Sequence, residues 1–387
     1  MDLAQIDTGS GDLWVVDADS QPCLNSCDQL HTSFNRTNSQ TFKKIDDDFE
    51  IHYLDNTTAK GSHVSDTLQL GELQLQNFEF GLASSSSPGS SGSVPSRNTF
   101  GIGYRASEST TDGLRPTYDN LPFALAKAGY TKSAAYSLWL NDRHAAGGSI
   151  LFGGVDTAKY EGELQTLPIV PGSDGNYTRT QVALSGVSIS DGKGSSQDLG
   201  LKGPAVAILD SGSTPAMLPP DMINSLVKIA DITYYKAQNA YIGPCVSGDL
   251  IFNFGSVALN VSIDQISWPI PVKGMCLWGI LPSDQIIIGY TALRSMYVVY
   301  DLDQNQISLA PAKLDTTDSH ILEINNGPQA VPSATAASFQ ISTAAPTATA
   351  APISTVSVKL PGNTASSLHA VSSPLAICML VLVASLL

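Results

Sequence analysis

Apolar residues fall along this chain in short runs and alternating stretches that Gly, Ser and Thr keep interrupting, and long helix-type patterns are scarce. Such spacing predicts strands joined by turns, and so an all-β protein. Two apolar runs share one sequel. AQID at 4–7 leads into TGS and AILD at 207–210 into SGS, so each run ends on Asp followed by a hydroxyl residue, Gly and Ser. An apolar-Gly element follows each copy in the same order, TFGIGY ending at Tyr104 and QIIIGY ending at Tyr290, which predicts an internal duplication. A third apolar run, LAICMLVLVASLL at 375–387, is shorter than the roughly 20 residues of a comfortable membrane span.

Length and charge sharpen this picture. The 387 residues exceed the usual single-core size of roughly 100 to 200, so two lobes are expected. A formal net charge of -15, with no Lys/Arg patch to neutralise phosphates, excludes nucleic acid as a partner. Few cations also mean little self-repulsion when carboxylates protonate, as a protein working in acid requires. The six histidines include no HExxH, and GxSxG is absent. The acidic run DDDFE at 46–50 lacks calcium-loop spacing and reads as a solvated face ahead of a strand. No metal and no cofactor is called for.

Four cysteines outside the terminal apolar run, Cys23, Cys27, Cys245 and Cys276, lack metal-cluster spacing and allow three disulfide connectivities. The small loop and the separate late pair suggest Cys23 to Cys27 and Cys245 to Cys276. Sequons at Asn35, Asn56, Asn176 and Asn260 fit the same oxidising, secretory compartment. From residue 312 to about 361 the chain is rich in Ser, Thr, Ala and Pro, a composition suited to a glycosylated stalk rather than a core. Small residues around Asn363, a polar spacer and the terminal apolar run then read as a GPI-attachment signal with Asn363 as ω site. The expected organisation is an N-terminal lobe at 1–165, a C-terminal lobe at 166–311, a stalk at 312–362 and the attachment signal at 363–387.

The duplicated loops carry the candidate chemistry. Asp at a strand tip followed by a hydroxyl residue and Gly sets a carboxylate on a tight turn. There Gly9 and Gly212 allow close backbone approach, and Thr8, Ser10, Ser211 and Ser213 offer hydroxyls to orient it. Two such loops facing each other bring Asp7 and Asp210 together. Like charges that close share one proton over an acidic range, leaving one carboxylate as general base and its partner as general acid.

With these motifs the chain resembles the pepsin family of aspartic proteases, and its tail resembles that of the yapsin-like surface members of fungi. IDTGSGDLWV is similar to the first catalytic motif, with Trp14 in the place of the packing tryptophan. FEIHYLDNTTAKGSHVSDTLQLG is similar to the flap hairpin, with Tyr53 as flap tyrosine. GGSILFGGVDTAKYEGEL and IIIGYTALRSMYVVYDLDQNQISLAPA are similar to the segments that end the two lobes. The likeness covers residues 3 to 311 and both cysteine pairs. It implies a two-lobed acid protease fold with a cleft between lobes and a hairpin flap. It also implies an aspartic endopeptidase, monomeric, acting on extended peptides by water activated between Asp7 and Asp210, with Thr8 and Ser211 bonding across to the opposite loop.

Leu54 stands where the family usually has Gly, and Tyr290 where it often has Asp. Members also carry a leader, a propeptide and at least one strand before the first catalytic loop. Six residues precede Asp7, so a first lobe one strand short is expected, and with it the alternative of an inactive surface protein.

Overall fold

The structure is a computed structural model describing residues 4–20, 33–87, 98–110, 115–203, 205–338 and 383–384. The pair Cys23 and Cys27, the stalk beyond residue 338 and Asn363 lie outside the described residues.

Short strands dominate, as the apolar spacing predicts. In Asp249–Phe254 and Val257–Ser262 the inward positions Leu250, Phe252, Phe254, Val257, Leu259 and Val261 alternate with solvent-facing ones. The longest described helix, Pro220–Ala230, buries Met222, Ile223, Leu226 and Ala230 at helical spacing, with prolines at its start and Asp231 at φ 53° just past its end.

The duplication reappears as topology. In the first half Ala4–Asp7 runs parallel to Asn98–Gly101, and Leu13–Asp17 lies antiparallel on the other side of that strand. In the second half Ala205–Asp210 runs parallel to Ile286–Gly289, and Ala216–Leu218 lies antiparallel beyond it. Asp7 stands opposite Gly101 and Asp210 opposite Gly289. The glycine equivalent to Gly289 is therefore Gly101 rather than Gly103, the one next to Tyr104. A Cβ on Gly289 would meet the Ser213 carbonyl oxygen at 2.7 Å and one on Gly101 would meet the backbone of Asp12, so each glycine lets its strand lie against one of the duplicated Asp loops.

Between the lobes lies a sheet to which both halves contribute, ordered Leu164–Pro168, Gln306–Pro311, Met296–Asp301, Ala135–Trp139, Ser149–Phe152. The lobe boundary expected at residue 165 thus falls inside a shared strand. One face of this sheet, with Tyr136, Leu138, Val298, Tyr300, Ile307 and Leu309, joins the main core. The other face, with Ala135, Trp139, Tyr297, Val299 and Ala310, is covered by Ile324, Ala330 and Val331.

Those covering residues correct the expected stalk boundary. Ile321–Glu323 pairs with Gly154–Asp156, and Ala334–Ala336 extends the shared sheet beside Leu164–Pro168. Residues 313–338 are therefore part of the folded body, because Ile324, Ala330 and Val331 find a complementary sheet face. Cys245 and Cys276 form the expected disulfide, joining neighbouring strands across a Cα separation of 5.0 Å.

Candidate active site

Each Asp loop is a strand end folded back on itself. The Gly9 N–H donates to Asp7 Oδ1 at 2.8 Å and the Ser10 hydroxyl to Oδ2 at 2.6 Å. In the other half the Gly212 N–H donates to Asp210 Oδ1 at 2.8 Å and the Ser213 hydroxyl to Oδ2 at 2.6 Å. Equal sequence spacing has produced equal geometry.

The loops interlock across the pseudo-twofold axis. The Thr8 hydroxyl donates to the Leu209 carbonyl at 2.9 Å while accepting from the Ser211 N–H at 3.0 Å. Reciprocally, the Ser211 hydroxyl donates to the Ile6 carbonyl at 2.8 Å and accepts from the Thr8 N–H at 3.2 Å. These four bonds are buried, where they hold relative position more firmly than exposed ones. A Cβ on Gly9 would lie 2.7 Å from Asp210 Cγ, so each loop's glycine lets the partner carboxyl sit against its backbone. Asp7 and Asp210 come within hydrogen-bond reach of each other, and burial together with the Asp210 charge pushes the Asp7 carboxyl above its usual range.

Tyr53 directly follows the strand Phe49–His52, and the chain returns along Thr58–Leu70. The Tyr53 N–H donates to the Thr57 carbonyl at 2.9 Å and Asn56 takes φ 66°, which closes the turn. The Tyr53 hydroxyl accepts from Trp14 Nε1 at 2.7 Å, and its ring rests on the small cluster of Trp14, Val16, Phe49, Ile51, Ala59 and Ala83. The hairpin is thereby docked on the strand that leaves the Asp7 loop. Leu54 beside it is 66% exposed.

Several residues of the site were not legible in the sequence. Gln5 reaches from the first strand to the Gly212 carbonyl, and the Thr180 hydroxyl faces the carbonyls of both Thr8 and Leu209 at 3.1 Å. Asp12 is fully buried, taking the Tyr118 hydroxyl on one oxygen and the Ser109 N–H on the other at 2.8 Å. Glu108 accepts from the Tyr118 N–H at 2.8 Å. The acidic run at 46–50 is only partly the expected solvated face, because Asp46 pairs with Arg115 at 2.8 Å and His63 at 2.7 Å. The place of Asp12 directly after the first motif was the one available hint.

Burial raises the Asp7 and Asp12 carboxyls and carries Glu108 to about 9 and Asp301 to about 6. In the unfolded chain these groups ionise near pH 4, whereas in the fold they keep their protons to higher pH. Between those limits the native state binds more protons, so stability is full in acid and declines as pH rises. The melting temperature is expected to fall steadily from pH 4 to pH 7 by calorimetry. Glu108→Gln should remove about one proton from that slope, up to ~1.4 kcal/mol per pH unit. A melting temperature that holds or rises toward neutrality contradicts this account.

Comparison with known proteins agrees with the geometry. The family model for eukaryotic aspartyl protease matches residues 3–312. A probable aspartic-type endopeptidase OPSB from Arthroderma benhamiae is 39% identical over 355 residues, 86% of this chain and 70% of the relative. Aspartic proteinase yapsin-3 of Saccharomyces cerevisiae is 34% identical over 348 residues, 85% of this chain and 66% of the relative. Among solved structures, the aspartic proteinase from Irpex lacteus superposes with a TM-score of 0.65 at 18% identity, over 82% of this chain and 92% of that one, a likeness of fold. With two interlocked Asp loops and strong matches along most of its length, this chain belongs to the eukaryotic aspartyl protease family, whose fold is that of pepsin.

Proposed function

We propose that this aspartic endopeptidase hydrolyses internal bonds of extended peptides with Asp7 and Asp210 as its catalytic pair, one proton shared between them. The observation that carries the reading is the contact of the buried Asp7 carboxyl with the half-buried Asp210 carboxyl, each held by a matching Gly N–H and Ser hydroxyl. The ionised member takes a proton from a solvent water as that water attacks the scissile carbonyl. Its protonated partner supplies a proton to the peptide, so the pair ends each cycle with the same proton count. Thr8 and Ser211 hold the two loops together, while Gly9, Ser10, Gly212 and Ser213 supply the carboxyls' fixed donors. Tyr53 lies on the hairpin that closes over the substrate, whose strand-like backbone can bond along flap and cleft edges.

Such a pair works only while singly protonated, so kcat/KM for casein or an internally quenched peptide is expected to trace a bell with its maximum in acid. Products should come from internal bonds by mass spectrometry. Cleavage rising through neutrality would contradict the shared proton.

We also propose a monomer held at the cell surface. The exposure of Asn35, Asn56, Asn176 and Asn260 suits N-glycosylation, and the disulfide suits an oxidising compartment. No helix among the described residues is long and apolar enough to cross a membrane. The Ser/Thr/Pro-rich segment after residue 338 would form the stalk, with Asn363 accepting a GPI anchor. Phosphatidylinositol-specific phospholipase C should release the protein from intact cells, and Asn363→Gln should lower the released fraction. Retention after lipase treatment counts against the anchor.

A further inference from the structure

We infer that His63 is a positioning residue for proteolysis: a buried imidazolium that fastens both strands of the flap to the loop carrying Asp7. The inference rests on the proteolytic reading above.

His63 lies on the returning flap strand, opposite Gly81, and is fully buried. Its Nδ1 is 2.7 Å from Asp46 Oδ1 and its Nε2 is 3.1 Å from the Ser109 carbonyl oxygen. A carbonyl oxygen only accepts, so Nε2 must carry a proton. Asp46 is surrounded by donors, namely Arg115 Nη1 at 2.8 Å and the N–H groups of Asp48 at 3.1 Å and His63 at 3.3 Å. Its bonds to His63 hold its carboxyl below the usual range against the opposing effect of burial. An ionised Asp46 also only accepts, so Nδ1 carries a proton too and the ring is charged. Glu79, which pairs with Arg115, and Asp12 face the same cluster from neighbouring elements, both carboxyls raised by burial, while the rings of Phe49 and Tyr118 close the remaining sides.

What the ring holds gives this charge its consequence. Ser109 receives the Nε2 proton on its carbonyl, donates its N–H to Asp12 at 2.8 Å and donates its hydroxyl to the Glu50 carbonyl. Asp12 follows Asp7 by five residues, and Glu50 precedes Tyr53 by three on the outgoing flap strand. One residue therefore ties the catalytic loop to both flap strands, and a charged ring ties that residue to Asp46. A neutral ring has a single proton for two acceptors, so one of the two bonds is lost and the flap loses its registration over the pair.

The test is steady-state cleavage of a peptide substrate from pH 3 to pH 7 by wild type and His63→Phe, with melting temperature measured alongside. Phenylalanine keeps an aromatic ring between Phe49 and Tyr118 but has no N–H. A positioning role predicts KM raised about tenfold with kcat changed less than about threefold, since the flap contributes binding rather than proton transfer. It also predicts that KM of wild type rises when the ring loses its charge and that KM of the variant shows no such rise. A folded variant with wild-type KM at every pH overturns the inference. Should His63→Phe not fold, Asp46→Asn decides, because it keeps ring and packing but removes the charge that retains the second proton. Its KM must begin to rise at lower pH than wild type, and an unchanged course overturns the inference. Neither variant touches Asp7 or Asp210, so an inactive wild type would sink the proteolytic reading instead, which separates the two failures.

Discussion

Asp210→Asn is expected to lower kcat/KM at the acidic optimum by a factor on the order of 10³ to 10⁴ while leaving the fold intact. An amide can still accept from the Gly212 N–H with its oxygen and turn its NH₂ toward the Ser213 hydroxyl, the two partners that hold the carboxyl now at 2.8 and 2.6 Å. It cannot ionise to take a proton from water, nor hold the shared proton. The interlock of Thr8 and Ser211 involves neither carboxyl and should survive. Removing a charge that now pushes Asp7 upward also removes part of the cost of ionising that group, so near neutral pH the variant should melt no lower than wild type. Loss of activity without loss of stability separates catalytic carboxylates from structural ones. Activity within tenfold of wild type would refute the assignment.

Ending the chain after Ala312, where the family likeness stops, is expected to lower the melting temperature by about 10 °C or more or to leave the protein insoluble. The missing segment contributes Ile324, Ala330 and Val331 to the second core and two short strands to neighbouring sheets. Its Ser319 hydroxyl and His320 N–H also satisfy the Asp156 carboxylate, each at 2.7 Å. Burying an Ile or Val side chain stabilises by roughly 1.5–3 kcal/mol. Tyr297, Val299, Tyr160 and Leu164 would lose their cover as well. Against a typical total of about 5–15 kcal/mol, several kcal/mol is decisive. Ending the chain after Ser338 keeps all of these contacts and should leave the melting temperature within a few degrees. Equal stability of the two shortened chains would show that the segment merely lies on the surface.

How far the site could be read in advance follows from how local its parts are. Asp7 and Asp210 are held by groups two and three residues away, so DTGS and SGS spelled out both loops, and finding the pattern twice implied that the loops meet. The flap was legible because Tyr53 closes a hairpin whose turn lies within five residues. His63 and Glu108 gave no such sign, and Asp12 gave only its place directly after the first motif. Each is polar, so composition assigns it to solvent, yet each is buried by elements from 46 to 118 that no spacing links.

Taken alone, the chain determined the strands, the duplicated loops and the kind of chemistry they support, because each depends on residues near in sequence or on a repeat visible within it. Tertiary structure decided which glycine stands opposite each aspartate, that residues 313–338 belong to the body rather than to a stalk, and which polar side chains are withdrawn from water. The reason is physical: burial and charge state are set by the surface that comes to lie against a residue, and that surface is supplied by distant parts of the chain.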